Sequence, residues 1–91
     1  MENEKVIKEI HSFNCKSRED FKVNCVSKID YLSPNAVLFS TSVGKMSVRG
    51  ENLYVDSLNK ETGELYIKGN ISIISYHEKD ANNKWIKRIF G

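Results

Sequence analysis

Catalysis requires groups that can meet: a nucleophile with its base, two carboxylates across a substrate, or a cluster of metal ligands. In this chain the residues capable of such work are few and scattered. His11 and His77 stand near opposite ends of the sequence, each beside polar or charged neighbours, and read as surface residues. An enzyme would need a site assembled from His77, Glu78, Tyr76 or Cys25, a reading that scattered side chains in the structure would remove. Cys15 and Cys25 make no CxxC or Cys/His pattern. They are expected to be inert thiols, Cys25 as a small buried apolar residue. Carboxylates such as Asp30, Glu51, Asp56 and Glu64 fall in turns or on the polar side of strands and read as solvated. A phosphate-cradling loop clusters its glycines ahead of a helix. Here Gly44, Gly50, Gly63 and Gly69 are dispersed singly and read as turn residues. No catalytic residue, metal site or cofactor is expected, and the chain is read as non-enzymatic.

What remains is binding, and the charge distribution narrows it. The net charge of +2 lies entirely in residues 78–91, which hold four basic and two acidic side chains and leave ten of each in residues 1–77. A balanced body of this kind does not fit duplex nucleic acid, which is gripped by a basic face. The polarised end is more informative. If residues 84–90 are helical, Trp85, Ile86, Ile89 and Phe90 form one apolar stripe, with Lys84, Lys87 and Arg88 beside it. Asn82 or Asn83 could cap its start. Three destinations are open for that stripe: the domain's own sheet, a groove on a partner, or an anionic membrane surface. As a docking element it would use Lys84, Trp85, Lys87, Arg88, Ile89 and Phe90.

These groups must be positioned by the elements between them, and from Phe21 onward the pattern is period two. Phe21, Val23 and Cys25 alternate with Lys22 and Asn24; Ile29 and Tyr31 with Lys28 and Asp30. Val37, Phe39 and Thr41 continue the pattern, then Met46 and Val48, Leu53 and Val55, Leu65 and Ile67, and less regularly Ile71, Ile73 and Tyr76. Such alternation marks half-buried strands, about seven of them. Chain-reversing residues separate them at 33–35, 43–45, 50–52, 59–63 and 69–70. The spacing leaves no room for crossover helices, so the class is all-β and antiparallel, a small sandwich or a rolled, partly open barrel. A domain of that kind leaves sheet edges, which makes self-association an expectation. Residues 3–13 fit a short amphipathic helix or a strand with a lead-in.

A chain of 91 residues holds one small core. The expected layout is an N-terminal extension at 1–17, a β domain at 18–78, and a linker with the basic tail at 79–91. The apolar stretch at 71–76 falls far short of the roughly 20 residues a spanning helix needs. The first residues lack the basic head and apolar run of a signal peptide. Export is therefore not expected, and the cytoplasm is the expected compartment.

The run from Phe21 to Leu32, then 37–41, 46–58 and 63–71, resembles the YabP/YqfC family of bacterial sporulation proteins. A family stretch of the form G-x-L-x-I-[KR]-G-x-x-L is matched by Gly44, Met46, Val48, Arg49, Gly50 and Leu53. A second, G-x-[VL]-x-I-x-G-x-I, is matched by Gly63, Leu65, Ile67, Gly69 and Ile71. The similarity spans about residues 18–77, and the ending Trp85-Ile-Lys-Arg-Ile-Phe resembles the tail of the YabP branch. The first 17 residues match nothing in the family pattern. The resemblance implies a protein of endospore formers that acts in spore coat or cortex assembly, on the mother-cell side of the forespore surface. It also implies a membrane-bound partner of the YabQ kind. The competing reading is a small OB-like or Sm-like barrel that stacks single-stranded nucleic acid on Tyr54, Tyr66 and Tyr76.

Overall fold

A computed structural model describes residues 10–77. They form six antiparallel strands in one open sheet: β1 (Phe13–Lys16), β2 (Asp20–Val23), β3 (Val26–Ser33), β4 (Ala36–Thr41), β5 (Gly44–Asn59) and β6 (Glu64–His77). Their spatial order is β1-β2-β6-β5-β4-β3. The all-β, antiparallel class expected from the period-two pattern is what the chain adopts. Of residues 3–13, Ile10 to Ser12 have no regular structure and Phe13 opens β1. The earlier part of that stretch lies outside the described residues.

The strand count is six rather than about seven: two glycines merge four of the expected strands into two, and β1 adds one that was not expected. Gly50 and Gly69 were expected to turn the chain; instead β5 and β6 run through them as one long hairpin. At this point the two backbones nearly touch. A Cβ on Gly50 would lie 1.8 Å from the Asn70 carbonyl oxygen, and one on Gly69 would lie 2.5 Å from that of Asn52. Asn52 and Gly69 both have positive φ, and the ladder shifts register on either side of them. The glycines permit a bend where two strands cross at close range.

That bend folds the sheet over its own core. The first half of β5 and the second half of β6 pair with each other beside β4 and β3; the other halves pair beside β2 and β1. Phe21, Val23, Leu65 and Ile67 meet Val37, Phe39, Met46 and Val48 between the two halves, every one of them buried. Leu53 and Ile71 fill the crease. Around it, the Leu53 amide donates to the Pro34 carbonyl at 2.8 Å and the Ile71 amide to that of Arg18 at 2.8 Å, so loops from both sides tie down the bent hairpin.

Three local departures from simple alternation matter for the surface. Cys25 has φ 62° and is only half-buried. The strand pattern that included it ends at Val23, and the chain reverses through Cys25 before β3. Bulges then redirect two apolar residues that alternation would place inside. The irregularity between Ile29 and Tyr31 turns Tyr31 outward beside Leu38, and the one between Arg49 and Gly50 leaves Ile73 facing out. Adding one residue to a strand moves everything after it to the other face.

Candidate functional site

The catalytic candidates are separated by the sheet itself. Tyr76 pairs with buried Met46 and so lies on the core side of β6, while the next residue, His77, lies on the outer side. His11 joins the Tyr76 side: its Nε2 is 2.6 Å from the Tyr76 hydroxyl, and the rings meet edge to face at 5.7 Å. His77 instead bonds Ser47, Nε2 to Oγ at 2.9 Å. That is the spacing of a nucleophile and its base. Yet Ser47 is only 1% exposed, which leaves a substrate no path to its oxygen. Among the described residues no three metal-ligating side chains cluster. Glu78 lies outside the described residues.

Stacking platforms for single-stranded nucleic acid fare no better as a group. Tyr54 and Tyr66 sit on the outer face of the β1-side half, but Tyr76 is on the core side at the mouth of the fold, against Phe13. Of the two, Tyr66 borders a shallow groove of about 480 Å³ that Asn14, Lys16, Asp20, Lys22 and Lys68 also line. Its positive charge is partly spent internally. Lys22 stands 5.6 Å from the centre of the Tyr66 ring, and Lys68 bonds Asp20 at 3.0 Å. That bond and the carboxylate's charge raise the Lys68 pKa above its ordinary value.

The sheet edges are the more distinctive surfaces. β1 is only four residues long and was not legible as a strand. Its turn into β2 carries positive φ at Ser17 and Arg18, the hand of a type I′ hairpin without the Asn-Gly pair that signals one. Asn24 holds its approach, with Oδ1 accepting from the Ser12 amide at 2.8 Å and Nδ2 donating to the Ile10 carbonyl at 2.9 Å. The opposite edge, β3, runs eight residues. Its middle is pinned by the bulged Asp30, which accepts from Ser40 Oγ at 2.7 Å and pairs with Lys28 at 3.6 Å. Beyond that bulge, Leu32 is 54% exposed on what is the edge strand among the described residues. An edge strand with a large exposed apolar side chain is a template for another chain. Lys84, Trp85, Lys87, Arg88, Ile89 and Phe90, expected as a docking tail, lie outside the described residues.

Comparison with known proteins places this arrangement. The family model described as the YabP family matches residues 7–83. Spore protein YabP of Bacillus subtilis (strain 168) is 28% identical over 78 residues, covering 86% of this chain and 78% of that protein. The match takes in all six strands and continues past them.

Proposed function

This chain belongs to the YabP family, and from that premise we propose that it is a non-enzymatic sporulation protein acting as an assembly module in spore coat or cortex formation. The observation that carries this reading is the family match across the whole β domain, with likeness to a protein named for the spore. The site chemistry is consistent with it. A scaffold needs surfaces that recruit other chains, and β3, an edge strand among the described residues, offers exposed Leu32. We assign to that edge the self-association of the module. Its place is the mother-cell side of the forespore surface, beside a membrane-bound sporulation partner.

Fluorescence localisation in sporulating cells tests the reading. The full-length fusion is expected to ring the forespore and to co-fractionate with membrane through its partner. A signal that stays diffuse throughout sporulation rejects the placement. Salt-sensitive binding of labelled oligonucleotides by the purified protein would instead move the outer Tyr54 and Tyr66 face into the leading role.

A further inference from the structure

One burial has no explanation among the strands described. Val37 and Phe39 point into the core, so Leu38 between them points out of it, and Leu38 is absent from the core cluster. Its cross-strand partners Ser47 and Tyr31 share that outer face, as does Ala36 two residues away. Yet Leu38 and Ala36 are 0% exposed. Alanine and serine are too short to roof a leucine, and Tyr31 on the neighbouring strand is itself 39% exposed. The cover is also local: on the same face Ile73 is 47% exposed.

We propose that residues 84–90 of this chain cover that face, with the apolar stripe of Trp85, Ile86, Ile89 and Phe90 seated over Leu38. The exit of the chain favours this occupant. His77, the last described residue, already lies on the outer face and bonds Ser47, the direct neighbour of Leu38. From there to Leu38 is on the order of 10 Å, two strand spacings. The seven residue steps from His77 to Lys84 can span roughly 20 Å. The N-terminal segment approaches from the other side, since His11 meets Tyr76 on the core face of β6. Helical steps of about 100° set the four apolar residues opposite Lys84, Lys87 and Arg88. Packing the stripe inward thus turns the three cations outward, where they can meet an anionic partner or membrane surface. The tail is then a fixed part of the domain that displays charge rather than a free hydrophobic anchor.

Trp85 is the only tryptophan of the chain, so its fluorescence in the full-length protein reads the contact directly. The expected result is blue-shifted emission with slow acrylamide quenching, independent of protein concentration. Leu38→Lys should move the emission to the red and raise quenching several-fold. In the reverse experiment, Trp85→Ala should shift the Leu38 methyl resonances and leave those of Val37 and Val48 on the core side in place, which also verifies folding. Solvated Trp85 emission in the unaltered protein overturns the assignment. So does a Leu38 environment that responds to Val6→Ala and Ile7→Ala rather than Trp85→Ala, or one that changes on dilution, which would make a second copy the cover.

Discussion

The rings of Phe21 and Phe39 lie 6.3 Å apart, centre to centre, although β6 and β5 separate their strands in the sheet. In a flat sheet three strand spacings would hold them about 14 Å apart. Their contact therefore measures how far the sheet has folded over, and the fold-over is what converts one sheet with two faces into a domain with a closed core.

A charge placed between the two halves should undo that closure. Ile67 is fully buried and pairs with Phe21 and Val55. Ile67→Asp is expected to cost roughly 4 kcal/mol or more, because an unpaired carboxylate would sit in apolar surroundings. Circular dichroism and urea unfolding check this. A soluble variant with unchanged stability would mean that the assignment of inside and outside is wrong.

The crease itself can be tested with one methyl group. Gly50 has no positive φ, so the cost of Gly50→Ala comes from its approach to Asn70 alone. The overlap is with backbone, which cannot swing away. A loss on the order of 3 kcal/mol is expected, read as a lower urea midpoint. Unchanged stability would show that the two strands are not pressed together there.

The β3 edge predicts a separation of folding from assembly. Leu32→Lys replaces an exposed side chain, so stability should change by no more than about 0.5 kcal/mol. Sedimentation should show the unaltered protein as an oligomer and the variant shifted to smaller species, because an edge lysine opposes strand pairing. An unaltered protein that is monomeric at all concentrations removes self-association from the proposed function.

The Asp20–Lys68 pair yields a pH dependence of known sign. The carboxylate raises the Lys68 pKa above 10.5, so the pair's stabilisation is fully present below 10.5 and is lost as pH rises through the folded-state value. Asp20→Asn should bring that pKa back toward 10.5, as followed by NMR of the Lys68 side chain. The two proteins should differ in stability below that window and converge above it. Lysine titrations that coincide in both would show that the pair does not form in solution.

Much of the core was legible because alternation is a local signal. Phe21, Val23, Val37, Phe39, Met46, Val48, Leu65 and Ile67 each point inward as period two requires, and the reversals at 33–35 and 59–63 occur where Pro, Asn and Gly predict them. Two other glycines were legible as special but not as to purpose. A glycine that frees φ for a turn and one that admits a crossing backbone look identical in sequence, and only the partner strand at Asn52 and Asn70 distinguishes them.

By itself, then, the sequence determined the class, the antiparallel pairing and most of the buried set, since these depend on neighbours along the chain. Tertiary structure alone decided that Tyr31 and Ile73 face out, that His77 meets Ser47 rather than His11, and that Tyr76 parts from Tyr54 and Tyr66. Each of those outcomes hangs on a register shift or a bend, and such shifts arise where two distant strands accommodate one another.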